Sequence, residues 1–180
     1  MPLVVLDTGF IISLAVDRRY ADAVRALWET NELWVPASVP AELRLRRRYP
    51  GEIPPELPGR ALGIISSSRW AIKEVAPTDA EGLEIRTLQD RVGGPGTPHH
   101  AGECEATVLI ATRDSDALLA LDDASSLPVL TRYLYERTGK MLRYVHTSTV
   151  IAELVTSGAF EAKLQKEVLA QLTAKRRPLI

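Results

Sequence analysis

Residues 3–6, Leu-Val-Val-Leu, form a short apolar, β-branched run that predicts a strand buried on both faces, and Asp7 closes it. Phe10, Ile11, Ile12 and Leu14 follow with helix-like spacing, so the chain opens as strand, acid, helix. The pattern then predicts a helix over 20–29 with Val24, Leu27 and Trp28 on one side, and a short strand at 33–35 that Pro36 ends. Ser38 can cap a third helix, whose first turn tolerates Pro40 and which carries Glu42 before ending near Tyr49 and Pro50. Four prolines and two glycines within 50–60 predict an exposed loop. The apolar segments 62–65 and 70–75 do not declare their type. Thr78 is expected to cap a helix over 79–90, and the run from Gly93 to His100 excludes regular structure. A helix starts near Gly102. Residues 118–121 read as another buried strand, again closed by acids, Asp122 and Asp123. A last strand is expected at 142–145, then a helix capped by Thr147 or Ser148, then an amphipathic stretch over 159–174.

Strands alternating with helical stretches predict an α/β domain with a mostly parallel sheet. In such sheets ligands bind beyond the carboxyl ends of the strands. Two predicted strands carry acids at that edge, Asp7 after the first and Asp122 and Asp123 after the later one. Composition narrows the classes further. With 46% hydrophobic residues among 180, a disordered scaffold is excluded and one domain is expected. The single cysteine rules out an intrachain disulfide framework and suits a reducing, cytoplasmic setting. No apolar run reaches the ~20 residues of a membrane span, and the first residues lack the basic start of a signal peptide. A net charge of −1 argues against indiscriminate, charge-driven binding to nucleic acid.

The acids placed by this pattern are Asp7, Glu42, Glu103 and the pair Asp122 and Asp123. Carboxylates gathered against a low-dielectric core repel one another, and each raises its neighbours' pKa unless a cation neutralises them. Hard divalent ions choose such oxygen clusters and keep waters for substrate phosphate.

Four segments carry a resemblance. Val-Val-Leu-Asp-Thr-Gly-Phe-Ile-Ile-Ser-Leu at 4–14 resembles the opening strand and helix of PIN-domain nucleases. Glu42 in Ser-Val-Pro-Ala-Glu-Leu-Arg-Leu resembles their second acid. His100-Ala101-Gly102-Glu103-Cys104-Glu105-Ala106 is similar to a variant of their third-acid helix, and Leu118 to Asp123 resembles their fourth strand with its terminal acids. The order and spacing match over roughly residues 3–130. The resemblance implies a three-layer α/β/α fold over 1–155, with 156–180 as a helical extension packed on the same domain. It implies a Mg²⁺- or Mn²⁺-dependent endoribonuclease, in some relatives a toxin neutralised by a protein antitoxin. Asp7 and Asp123 would be core metal ligands, Glu42 and Glu103 would complete the shell directly or through water, and Asp122 would assist. The chain departs from the family at Leu121, where a hydroxyl is common, and at Glu103, whose longer side chain is expected to move the carboxylate outward.

Plainer roles stand beside each of these. Asp7 can simply cap the first helix, Glu42 can pair with Arg46 one turn on, and Asp122 and Asp123 can be turn residues. Glu103 and Glu105 lie too far apart around a helix to share a face, so one is expected to be functional and the other solvated. Arg44, Arg46, Arg47 and Arg48 form a basic run that is either a solvated face or an RNA phosphate contact. Lys175, Arg176 and Arg177 read as a solvated tail. His99, His100, Cys104 and His146 fit no standard zinc spacing. The glycine-rich loop lacks the lysine and hydroxyl of a phosphate-binding loop. The apolar side of 159–172 either packs on its own domain or offers a homodimer or antitoxin surface.

Overall fold

The first strand, β1 (Leu3–Leu6), lies at the centre of a parallel sheet, and all four of its side chains are buried. The structure, a computed structural model, describes residues 1–48, 53–94 and 100–175, with backbone only for residues 162 and 175. The expected helix end at Tyr49 and Pro50, most of the glycine-rich loop, His99 and the tail from Arg176 lie outside the described residues. After β1 come α1 (Thr8–Val16), α2 (Arg18–Leu27), β2 (Glu32–Pro36), α3 (Ser38–Arg48), α4 (Glu56–Ile65) and β3 (Lys73–Val75). The chain continues through α5 (Asp79–Gly93), α6 (Ala101–Arg113), β4 (Leu118–Ala120), α7 (Leu127–Thr138), β5 (Arg143–Val145), α8 (Thr147–Thr156) and α9 (Ala162–Lys175).

The five strands run parallel in the order β3-β2-β1-β4-β5. Strand side chains alternate between faces, so the sheet feeds two cores. Val4, Leu6, Leu33, Val35 and Val145 join the core beneath α1, α2, α4, α8 and α9. Leu3, Val5 and Leu119 join the core beneath α5, α6 and α7. The fold is therefore a three-layer α/β/α sandwich. Helix α1 is apolar nearly all round, and its burial among sheet, α4 and α9 explains why. No helix among the described residues is long and apolar enough to cross a membrane.

One sequence expectation needs correction, and two points the sequence left open are decided. The loop predicted over 50–60 stops earlier, because α4 begins at Glu56 and buries Leu57 and Pro58. Pro58 sits in the first turn, where a missing N–H costs nothing. Residues 127–138, to which the pattern assigned no element, form α7, with proline in its first turn and Leu127, Leu130 and Leu134 buried along one face. The apolar side of 159–172 is used within the chain. Phe160, Val168 and Leu172 enter the same core as α1, and Arg19 reaches Glu167 at 3.3 Å while Gln171 Nε2 donates to Asp17 Oδ2 at 3.3 Å.

The expected cap at Thr78 is present and is reciprocal. Thr78 Oγ1 accepts from Glu81 N–H at 3.3 Å, and Glu81 Oε2 accepts from Thr78 N–H at 2.7 Å. Glu81 also anchors the far end of α6 through Arg113, at 2.7 Å, and Thr112, at 2.6 Å. The Arg113 guanidinium lowers the buried Glu81 carboxyl to about 2, against the burial that would raise it. A depressed carboxyl pKa stabilises the fold above the unfolded-state value of 4.5 and loses that contribution as pH falls toward 2. Glu81→Gln is accordingly expected to cost about 2–3 kcal/mol at neutral pH. In urea melts, the gap to the unsubstituted protein should close between pH 4.5 and 2.

Candidate metal centre

Strand order places a crevice where the sequence put its acids. β1 and β4 are neighbours, paired through Val4 with Leu118 and Leu6 with Ala120, and Asp7 N–H extends the ladder by donating to Ala120 O at 3.0 Å. α1 leaves β1 on one face and α7 leaves β4 on the other, as their separate cores show. The carboxyl ends of these two strands therefore open into a crevice, the position at which doubly wound sheets bind ligands. Asp7, Asp122 and Asp123 occupy its floor by connectivity alone.

Each acid meets different partners. Asp7 is 4% exposed, and its Oδ1 accepts from Phe10 N–H at 2.7 Å, which makes it the N-cap of α1. Asp122 Oδ2 accepts from the Ser13 hydroxyl of α1, and its Oδ1 accepts from Thr147 N–H at 3.1 Å. Asp122 thus ties α1 to the start of α8. The Thr147 side chain, expected to cap that helix, is buried with no hydrogen-bond partner among the described residues. Glu42 Oε2 accepts from the Thr8 hydroxyl at 2.6 Å, while its Oε1 accepts from Arg46 at 2.5 and 2.9 Å. Arg44, Arg47 and Arg48 are exposed on the same helix.

Helix α6 supplies the third acid, and Gly102 sets how closely it approaches. A Cβ there would lie 3.3 Å from Thr8 Oγ1, a tight approach to α1, and 3.5 Å from Val39 Cγ2, an ordinary contact with α3. Glu103 follows in the first turn, where the helix dipole favours a negative charge. The expected outward reach of its longer side chain is not what occurs. Glu103 is 6% exposed, and its Oε2 accepts from the buried Ser126 hydroxyl and lies 3.1 Å from His100 Nδ1. Glu105 is not solvated either. It is 5% exposed, and its two oxygens accept from Ala37 N–H at 3.0 Å and Ser38 N–H at 3.1 Å. Glu105 therefore caps α3 from a neighbouring helix, and the Ser38 hydroxyl, expected in that role, finds no partner among the described residues.

His100, Glu103 and Asp123 converge. One ligand atom from each lies within 4.8 Å of the other two. Of the acids named from sequence, Glu103 and Asp123 thus come together, whereas Asp7, Glu42 and Asp122 are not in this group. The donor set is one imidazole nitrogen and two carboxylates. An ion with ligand distances of ~2.1 Å draws donors to within ~4.2 Å of one another, so a contraction of about half an ångström closes the group on a single cation. Carboxylates suit hard ions and imidazole suits borderline ones, which makes the set a better fit for Mn²⁺ than for Mg²⁺.

The electrostatics separate the two carboxylates. Burial pushes the Glu103 carboxyl up, and the charge of Asp123 adds to this, opposing the Ser126 and His100 hydrogen bonds. Burial also works to raise Asp123, but the Ser125 hydroxyl and N–H, with the charge of His100, hold it below the usual carboxylate range. Two adjacent carboxyls with divergent pKa values are a pattern of acid–base and metal sites. Cys104 takes no part. It is buried in the second core, and burial beside Glu103 pushes its thiol up to about 12.

His100 is the site residue that the acid pattern does not reveal. Its signal is the helical offset of three residues to Glu103, which puts both on one side of the first turn. The hydroxyls of Thr8, Ser13 and Ser126, which serve Glu42, Asp122 and Glu103, have no spacing signature at all. Comparison with protein-family models, with curated proteins and with solved structures finds no match for this chain.

The position of Glu105 separates structural acids from the candidate site. Glu105→Ala leaves the Ser38 N–H without its acceptor, while Ala37 N–H keeps Val75 O at 3.0 Å. It is expected to destabilise the protein by about 1–3 kcal/mol in urea unfolding while leaving Mn²⁺ affinity, read by calorimetry, unchanged within about twofold.

Proposed function

We propose that this chain is a divalent-metal-dependent endoribonuclease of the PIN type, with its centre at His100, Glu103 and Asp123. The observation that carries the reading is the convergence of these three donors at the crevice between the ends of β1 and β4. Glu103 and Asp123 would hold the ion with His100, and Asp123, which is exposed, leaves that side open to substrate. A cation bound there supplies charge neutralisation and an activated water for attack on a phosphodiester. The RNA substrate rests on the resemblance to PIN-domain nucleases.

The surrounding residues have supporting tasks. The Ser126 hydroxyl fixes the rotamer of Glu103 and, with His100, favours its charged form. Asp7 and Asp122 hold the starts of α1 and α8 against the strand ends, which keeps the crevice in shape. Arg44, Arg47 and Arg48 give α3 an exposed positive face, available to backbone phosphates on the same side of the sheet as α1.

A second reading is favoured by one observation. Asp7, Glu42 and Asp122 already serve as hydrogen-bond acceptors for helix ends and side chains, as the acids of a non-catalytic PIN-like module binding RNA or a protein would.

The two readings separate in one experiment. With Mn²⁺, the purified protein is expected to cleave an unstructured oligoribonucleotide. Asp123→Asn should reduce the rate by about a hundredfold or more and weaken Mn²⁺ binding, without lowering the melting temperature. Asp7→Asn keeps a cap of equal quality, so lost cleavage with an unchanged melting temperature assigns Asp7 to the centre as well. A protein that binds neither Mn²⁺ nor Mg²⁺ and cleaves no RNA sinks the nuclease reading.

A further inference from the structure

The crevice continues into a groove that the metal centre does not use. It lies between α7 and β5, has a volume of about 490 Å³, and is lined by Ala124, Thr131, Arg132, Tyr135, Met141 and Tyr144 with two further residues of α7. Ala124 follows Asp123 directly, so the groove begins beside the ligand loop and runs down the edge of the sheet. Among the described residues, six large hydrophobic side chains are exposed, and three of them, Tyr135 at 57%, Met141 at 65% and Tyr144 at 46%, line this one groove. The clustering of half of these side chains in one place, and not their total area, singles the groove out as a surface for binding. The rings also lead back to the site. Tyr144 meets His146 edge-on with centroids 5.4 Å apart, and His146 Nδ1 lies 3.1 Å from Leu121 O, next to the acid pair.

We infer that this groove is a base-stacking subsite that takes unpaired nucleotides of an RNA strand whose backbone crosses the acid cluster. The inference rests on the nuclease reading for the identity of the strand. Its own support is the lining. Two exposed tyrosine rings offer stacking that any base can use, and the exposed Met141 adds a soft, adaptable side chain. Arg132 stands at the rim with its side chain 81% exposed, paired at 2.8 Å with Glu136. A volume of about 490 Å³ falls in the ~300–1,000 Å³ range of sites for small molecules, which suits one or two nucleotides. A protein occupant fits less well. The groove is lined by eight residues, against the ~20–30 per side of a stable protein interface. β5 is only three residues long, which leaves little edge for an added strand.

The test measures binding without cleavage, in EDTA, by fluorescence anisotropy of a labelled, unstructured oligoribonucleotide of about a dozen residues. Tyr135→Ala and Tyr144→Ala are each expected to weaken binding about tenfold, while Tyr135→Phe and Tyr144→Phe keep the ring and the affinity. An oligomer with the same backbone but no bases should bind about as weakly as the alanine variants. Circular dichroism melts establish that the variants fold. Alanine variants within about twofold of the unsubstituted protein, or equal binding of the baseless oligomer, overturn the proposal. So does a groove whose alanine variants change sedimentation of the free protein but not RNA binding, which marks a protein interface instead. The outcomes for the two proposals are separable. Tyrosine-dependent binding without Mn²⁺-dependent cleavage removes the nuclease reading and leaves the groove. Cleavage lost in Asp123→Asn, with RNA affinity indifferent to the tyrosines, does the reverse.

Discussion

The pairing of β1 with β4 is the contact on which the rest of the molecule depends. These strands are far apart in sequence, with the β2 and β3 units between them, yet they share a ladder that runs on through Asp7 N–H to Ala120 O. Because the connections after them leave on opposite faces, the pairing opens a crevice at their carboxyl ends. It also brings Asp122 within a hydrogen bond of Ser13, a contact between residues 109 positions apart. Without this strand order, the acids would sit at separate helix starts and share no site.

A crowd of carboxylates at one edge of a sheet costs free energy unless each charge is answered. Here the answer comes mostly from helix N-termini and hydroxyls. Asp7 takes an N–H of α1, Asp122 takes one of α8 and Glu105 takes two at the start of α3, so backbone dipoles offset charge where the helices begin. Arg46 answers Glu42. The acids divide by burial and partner. Asp7, Glu105 and Asp122 hold helices in place. Glu103 and Asp123 are left close to each other and to His100, and there burial and the charge of Asp123 push Glu103 up while the Ser125 hydrogen bonds and the charge of His100 hold Asp123 down. Among the described residues, this is the group at the edge where a cation would relieve repulsion instead of merely replacing a hydrogen bond.

Local signals in the chain were strong where a single element decides the outcome. The run 3–6 is apolar enough to be a strand in any α/β context, Thr78 and Glu81 form a reciprocal cap within four residues, and Glu42 with Arg46 is a helical pair at ideal spacing. Signals failed where a partner from elsewhere competes. Ser38 and Thr147 look like caps, but each is the first residue inside its helix, and its own N–H goes to a carboxylate from elsewhere, Glu105 or Asp122, whose charge makes a strong hydrogen bond. Proline and glycine in 50–60 suggested loop, yet the burial of Leu57 and Pro58 beneath α1 and α3 stabilises the first turn of α4.

By itself the sequence determined the α/β alternation, the strand-then-acid pattern and the positions of the acids, since these follow from periodicities of two and 3.6 and from the preference of carboxylates for strand ends and helix starts. Only the tertiary structure decided which acids meet. Glu103 and Glu105 are two residues apart on one helix and chemically alike, but a helical step of roughly 200° sends one toward Asp123 and the other toward α3. His100 joins the first, and the groove of Tyr135 and Tyr144 forms beside it, because the strand order sets β5 and α7 at that edge. Side-chain identity is a local property, whereas convergence depends on strand order and helix placement, which contacts distant in sequence decide.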